Sequence, residues 1–259
     1  MGACCEGRDV SSQEARNEVV HIGNTGRGAS FNLKVADKSK VPDAPPREEE
    51  VIASSEKKLE FSKLNSKDII NAFTAEGMEG VLSRPQLKRA FLSLGLPEND
   101  LTSPDAPFYQ ILAKIKNEKK LYDIRKVALL GLLLGKGSNI DKARLLFKQY
   151  DSGSLGSLDT GKVELMVNEI IDLSVNIIPD IAIGEGAGYL TREEEDAYED
   201  RLRARQQNTF NEVKRILISE GQLSESDFIV KMSDSKLPLY KLLSSVGTRA
   251  LIRSLSNTN

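Results

Sequence analysis

Phe147-Lys148-Gln149-Tyr150-Asp151-Ser152-Gly153-Ser154-Leu155-Gly156-Ser157-Leu158-Asp159 is the stretch of sequence that decides the fold of this chain. It joins two segments whose apolar residues recur with the period of an α-helix. Counted from Asp151, the loop has Gly156 as its sixth residue and Leu158 as its eighth. Glycine allows a sharp turn in the backbone, and a branched apolar residue two places on can pair with a neighbouring loop.

The same spacing of glycine and apolar residue recurs elsewhere in the chain. Two copies repeat it closely: loop 75–86 with Gly80 and Leu82, and loop 216–227 with Gly221 and Leu223. A weaker copy is loop 115–126, in which Tyr122-Asp123-Ile124 would be the paired segment. Outside these loops helical periodicity runs from Leu59 almost to the end, and alternating runs of strand type are nearly absent.

Four helix–loop–helix units in two close-set pairs resemble the EF-hand superfamily. The stretch from Lys136 to Asp151 is similar to the start of the third hand in the calcineurin-B and neuronal calcium sensor branch, where acylated N-termini also occur. The resemblance implies an all-α fold of four EF-hand-like units in two paired lobes. The expected divisions are a disordered tail at 1–58, a first pair at 59–136, and a second pair at 137–259 with a linker inserted near 174–195.

Calcium binding is not expected, because the loops lack the ligands that calcium needs. A calcium loop supplies oxygens at positions one, three, five, nine and twelve, the last from a bidentate glutamate. Position twelve is Gln86, Lys126, Lys162 and Asp227 in the four loops. Asp151 and Asp159 are the residual metal candidates, and their simpler interpretation is a turn residue and a helix cap. No metal or other cofactor is therefore predicted, and the two lysines are expected to replace the cation by lying over their own loops.

The N-terminal residues Met1-Gly2-Ala3-Cys4-Cys5 indicate lipidation. Removal of Met1 would expose Gly2 to myristoylation, and Cys4 and Cys5 would follow as palmitoylation sites. Two acyl signals hold a protein stably to a membrane, whereas one does so only weakly. Glu6 departs from the Ser or Thr that the myristoylation pattern prefers, and the alternative is an N-terminus with two free thiols. The expected location is the cytoplasmic face of a membrane.

Composition argues against several classes of function. The net charge of −2 and the 5 % content of aromatic residues, with no Trp, give no reason to expect a nucleic-acid partner. The only histidine, His21, lies in the predicted tail, so no preorganised Ser/Cys–His pair is available and no enzyme is predicted. The most apolar stretch, Val127 to Leu134, is far shorter than a membrane span. The acidic runs 48–50 and 193–196 are interpreted as solvated.

Binding of a protein partner is the remaining function that the sequence allows. Paired EF-hands hold an amphipathic helix in an apolar groove, but the sequence does not name the residues that would do so here. Segment 174–183 is apolar and interrupted by Pro179, so it would either plug such a groove or bind a partner, and the plug is favoured. The predicted function is a lipid-anchored, largely calcium-independent adaptor. The alternatives are a fixed connector in a cytoskeletal or ciliary assembly and a weak calcium-responsive regulator.

Overall fold

Helices make up most of the chain in this computed structural model, which describes residues 44–218, 221–234 and 236–255. The α-helices of the described residues are, in chain order, α1 Arg47–Lys58, α2 Ser66–Glu76, α3 Arg84–Ser93, α4 Asn99–Thr102, α5 Pro107–Lys114, α6 Ile124–Leu134, α7 Asn139–Tyr150, α8 Thr160–Asp172, α9 Arg192–Leu217, α10 Glu225–Ser233 and α11 Ser245–Ser254. Short 3₁₀ turns cover Glu60–Lys63, Ile178–Ala182 and Pro238–Leu243, and a π-helical turn covers Leu173–Ile177. The predicted all-α class is confirmed.

Four very short strands join the helices in two antiparallel pairs. They are β1 Val81–Leu82, β2 Tyr122–Asp123, β3 Ser157–Asp159 and β4 Gln222–Ser224. Strand β1 pairs with β2, and β3 pairs with β4. Each strand leads within one residue into a helix, so each pair ties two helix–loop–helix units together.

Helix boundaries follow the capping residues in the sequence. The Ser83 amide donates to Gln86 Oε1 at 2.8 Å, which completes the predicted capping box of α3. Side-chain oxygens of Ser138, Asp159 and Ser224 accept backbone amides at the starts of α7, α8 and α10. These contacts satisfy amides that have no partner within the helix, and they fix where each helix begins.

The core is continuous and mainly aliphatic, with two aromatic clusters. Phe61 packs against Phe73, Phe91 and Phe108, with the closest ring centroids 4.4 Å apart. Phe147 packs against Phe228 between the last two units. Helix α6 is buried along Val127–Leu134, as expected for a helix that is apolar nearly all round.

The prediction of a disordered tail at 1–58 is wrong for its last twelve residues, which form α1. Glu49, Ile52 and Glu56 of this helix are buried. The sequence of α1 is rich in charge and poor in apolar residues, which led to the prediction of disorder. Tertiary contacts of its buried carboxylates and of Ile52 stabilise the helix. Residues 1–43 lie outside the described residues.

Segment 174–183 is packed inside the protein. Val175, Ile178 and Ala182 have no exposed surface, and the segment contacts α1, α5 and α11. The π-helical turn at its start widens the end of α8, and Pro179 opens the following 3₁₀ turn. The interpretation as an internal plug is therefore favoured by the structure over an exposed partner site.

The predicted division at residue 136 separates the two strand pairs but not two packing units. The described residues, from 44 to 255, form one compact unit. Backbone contacts join Ser66 to Lys136 at 2.8 Å, and α2 also packs against α7. The helices on either side of the predicted boundary consequently share one core.

Candidate functional site

The four loops share a left-handed residue at the same place. The φ angles are +80° at Gly80, +59° at Lys120, +69° at Gly156 and +84° at Gly221, each the sixth residue of its loop. Glycine adopts this conformation without strain, whereas lysine does so at some cost. The weakest loop in sequence thus has the same sharp turn as the other three.

The eighth residues of the loops pair with one another across the short strands. Leu82 lies opposite Tyr122, and Leu158 lies opposite Leu223. All four side chains are buried. Each pair of loops is therefore held together by a buried apolar contact as well as by backbone hydrogen bonds.

The two carboxylates of the third loop bind the loop itself. Asp151 accepts the amides of Leu155 and Gly156, both at 2.9 Å. Asp159 accepts the amide of Lys162 at 2.8 Å and caps α8. The interpretation of the residual metal candidates as turn and cap residues agrees with these contacts. Their carboxylate oxygens stabilise the turn by pairing with amides.

The expected role of the two lysines as substitutes for a cation is wrong. Among the ion pairs of the described residues, none joins the Lys162 ammonium to Asp151 or Asp159, and the contact with Asp159 is made by the backbone amide. The Lys126 ammonium lies 3.9 Å from Asp172, which belongs to α8 rather than to its own loop. Long side chains can leave a loop that offers few free oxygens, because its carboxylates are already engaged with amides.

Three acidic residues of α9, none of which belongs to the four loops, lie close together. Carboxylate oxygens of Glu195, Asp196 and Glu199 are all within 4.8 Å of one another. Burial, reinforced by Glu199 and Asp180, raises the pKa of Glu195 to about 7. The interpretation of run 193–196 as solvated is thus wrong at Glu195, which is almost fully buried. Acidic clusters on one helix are common without a metal, and no metal is assigned to this one.

A buried ionic cluster joins α1 to the C-terminal helix. Arg249 of α11 has no exposed surface and contacts Glu49 through two hydrogen bonds, of 3.0 and 3.1 Å. Its Nη2 also donates to Glu56 at 2.8 Å, and its Nη1 donates to the Ser174 carbonyl at 3.1 Å. One guanidinium thereby binds both buried carboxylates of α1 and the start of the plug segment.

Further polar groups complete the coordination of the two carboxylates. Arg253 donates to Glu49 at 2.8 Å, the Tyr198 hydroxyl donates to Glu49 at 2.5 Å, and the Ser245 hydroxyl donates to Glu56 at 2.7 Å. We call the surface formed by Tyr198, Ser245, Arg249 and Arg253 the α1 seat. Each of these four residues donates to a carboxylate of α1, as a buried charge requires, and Arg253 also donates to the Tyr198 hydroxyl at 2.5 Å.

The charges in the seat stabilise one another despite their burial. Burial alone would raise the pKa of Glu49, but Arg249 and the hydrogen bonds to it lower that pKa below its usual value. Burial would likewise lower the pKa of Arg249, whereas Glu56 and Glu49 raise it above its ordinary value. Both shifts favour the charged forms of Glu49 and Arg249, which lie in contact as opposite charges.

Sequence reasoning missed the seat because it treated run 48–50 as solvated. Glu49, Ile52 and Glu56 are spaced i, i+3 and i+7, which places them on one face of a helix. Arg249 and Arg253 are spaced i, i+4 on the partner helix. Together these spacings could have indicated a charged helix pair, although nothing in the sequence links segments that are 200 residues apart.

A second ionic cluster joins the two strand pairs. Arg125 of α6 forms two hydrogen bonds to Glu169 of α8, at 2.9 and 2.8 Å. The Tyr150 hydroxyl donates to the same carboxylate at 2.7 Å. Since Arg125 follows β2 and Tyr150 precedes the third loop, this cluster fixes the second unit against the third.

The predicted lipidation residues Gly2, Cys4 and Cys5 lie outside the described residues, as does His21. Among the helices that the structure describes, none combines the length and apolar character needed to cross a bilayer. Comparison of the chain with protein-family models gives no match, and a search of curated proteins gives none either.

Proposed function

We propose that the chain is a lipid-anchored adaptor whose body consists of four EF-hand-like units that work without calcium. In this proposal the acylated N-terminus holds the protein at the cytoplasmic face of a membrane, and the helical body binds a protein partner. The helical body, its independence of calcium and the lipid anchor are each tested separately below.

The observation that carries the proposal is the common geometry of the four loops. Each has a left-handed sixth residue, and the eighth residues meet in two pairs, Leu82 with Tyr122 and Leu158 with Leu223. Paired helix–loop–helix units with this turn are typical of EF-hands. The likeness extends to loop 115–126, where the sequence signal is weakest.

Calcium independence is supported by the chemistry of the loop positions. Calcium takes six to eight oxygen ligands, whereas the third loop offers Gly153 and Leu155 at positions three and five and Lys162 at position twelve. Asp151 is engaged with two loop amides. A body held by apolar strand contacts and internal ion pairs has no requirement for a cation to fix its helices.

Calorimetric titration of the full chain with calcium tests this part of the proposal. We expect no site tighter than millimolar. Micromolar binding that disappears in Asp151→Ala would instead support the calcium-responsive regulator. Asp105→Ala, which removes a carboxylate outside all four loops, serves as the matched control.

The anchor is supported by the adjacency of Gly2, Cys4 and Cys5. Metabolic labelling with alkynyl myristate and alkynyl palmitate tests it, because the two labels report the glycine and the cysteines separately. We expect both labels to be incorporated. Absence of both would remove the anchor from the proposal and leave the helical body unaffected.

A fixed connector in a cytoskeletal or ciliary assembly is the second candidate. The contact of Arg125 with Glu169 and Tyr150 favours it, since this cluster locks two units in one arrangement. Fractionation of cells distinguishes the two functions. A connector remains with the detergent-insoluble cytoskeleton, whereas a lipid-anchored adaptor is released by detergent.

A further inference from the structure

We propose that the α1 seat is a docking site for an acidic amphipathic helix of a partner protein, and that α1 occupies this site until the partner displaces it. The inference deepens the proposed adaptor function and rests on it, because it names the surface and the kind of partner. It is carried by the chemistry of the contact between α1 and α11.

The side-chain contacts of α1 with α9 and α11 are mainly ionic, which suits a helix that leaves and returns, although α1 also packs against the buried 3₁₀ turn Ile178–Ala182. On its buried face α1 has one fully buried aliphatic side chain, Ile52, between Glu49 and Glu56. When α1 leaves, both carboxylates regain water, and the helix is polar enough to stay soluble. A helix that served only as core would gain stability from apolar residues, since replacing a buried ion pair by well-packed apolar groups is often neutral or stabilising.

The seat defines the partner by charge and spacing. Arg249 forms two hydrogen bonds to Glu49 and one to Glu56, which lies seven residues further along α1. Arg253 places a second cation beside Glu49. A guanidinium matches the planar geometry of a carboxylate. The fitting ligand is a helix with acidic residues at i and i+7 and an aliphatic residue at i+3.

The rim of the contact is polar and exposed, as in reversible protein interfaces. Arg47 pairs with Glu194 at 2.6 Å, and Glu48 pairs with Arg201 at 2.6 Å. Exposed pairs of this kind contribute little to stability and much to orientation. They position α1 along α9 without holding it firmly.

A groove beside α1 gives a competitor a place to make its first contact. The groove measures about 510 Å³ and lies between α1 and α11, and the charged residues that line it are Glu49, Glu50, Lys57 and Arg253. A partner helix that enters this groove meets Arg253 before Glu49 has left it. Displacement can then proceed along the seat while α1 is still partly bound.

Trans binding of the α1 sequence tests the proposal. The probe is a fluorescein-labelled peptide of residues 47–58, and the receptor is the full chain with Glu49→Lys and Glu56→Lys, which repels its own α1 from Arg249. Fluorescence anisotropy should show at least tenfold tighter binding to this variant than to the wild type, in which α1 competes at a high effective concentration. The matched control is Glu118→Lys with Glu185→Lys, which makes the same charge change at exposed positions outside α1 and the groove and should behave as wild type.

The recognition rule is tested on the peptide. A peptide with the two lysine substitutions at Glu49 and Glu56 should lose binding to the open variant at least tenfold. Equal binding of both peptides would overturn the proposed role of the carboxylates. Absence of any peptide binding to a folded variant would overturn the docking site itself.

A measurement on the wild-type chain keeps the proposal testable if the variant does not fold. Hydrogen exchange should show amides of α1 opening at least a hundredfold more often than those of α8. Equal protection would mean that α1 leaves only when the whole protein unfolds, and would overturn the proposal. Failure of the acyl labelling would argue against the lipid anchor and would leave the peptide-binding and exchange results unaffected. Failure of the lipid anchor can therefore be distinguished from failure of the docking site.

Discussion

Glu49 and Arg249 are 200 residues apart in sequence and form a two-bond ion pair from which water is excluded. The pair joins the first helix of the described chain to the last one. Because Arg249 also contacts Glu56 and the Ser174 carbonyl, its loss would take one donor from each of three buried groups and the main opposite charge from two carboxylates.

Arg249→Ala should destabilise the protein by about 3–5 kcal/mol, since removing one partner of a buried pair leaves uncompensated charge. Urea denaturation measures the change. The matched control is Arg201→Ala, which breaks the more exposed pair with Glu48 and should change stability by about 1 kcal/mol or less. Equal effects of the two substitutions would contradict the buried role of Arg249.

Glu195→Gln should stabilise the protein above pH 7, on the order of 1 kcal/mol. Burial raises the pKa of Glu195 to about 7 in the folded state, so the folded protein holds a proton that the unfolded chain releases near pH 4.5. The contribution of protonated Glu195 to the free energy of unfolding is complete below pH 4.5 and is lost as the pH rises through 7. Melting temperatures of wild type and variant should therefore converge in acid and separate in base. Glu193→Gln, an exposed neighbour, should show no such separation.

Gly156→Ala should destabilise the protein by about 1–2 kcal/mol, because the backbone is left-handed there and L-residues adopt that conformation with strain. Gly161→Ala is the matched control. Gly161 lies in the first turn of α8, where an added methyl group meets only ordinary contact, so this change should be neutral or slightly stabilising. Thermal melts of both variants give the comparison, and similar melting temperatures would argue against the strained turn.

Restoring the missing ligands of the third loop should create a calcium site. Gly153→Asp, Leu155→Asp and Lys162→Glu together add oxygens at positions three, five and twelve beside Asp151 and Asp159. Gly153 and Leu155 are exposed and Lys162 is half-buried, so the fold should tolerate the three changes. We expect a Kd of about 10⁻⁵ M or tighter by titration. Lys162→Glu alone should bind no calcium at this level, and the triple variant with Lys162→Gln should bind far more weakly than the one with Lys162→Glu.

Gly2→Ala should move the protein from the membrane fraction to the soluble fraction, because it removes the acceptor for myristate. Cys4→Ser with Cys5→Ser should weaken retention by leaving a single acyl chain. Gly7→Ala makes the same glycine change five residues on and should leave partition unchanged. Immunoblots of fractionated cells provide the measurement, and membrane retention of Gly2→Ala would argue against myristate.

The sequence by itself determined the loops and the helices around them. The register of each loop could be predicted because a sharp turn needs glycine at one place and a buried strand contact needs an apolar residue two places on. Leu158 and Leu223 meet as that spacing requires. Local capping by Ser83, Ser138 and Ser224 likewise depends on residues only three apart.

Only the tertiary structure decided which charged side chains are buried and which groups they contact. Glu49 and Lys162 were both misjudged from sequence, one as solvated and the other as a substitute cation. Whether a charge is buried depends on its opposite charge, and for Glu49 that charge is supplied by a helix 200 residues away. Arg249 compensates the burial of the two carboxylates of α1, and residues 47–58 by themselves do not specify that distant contact.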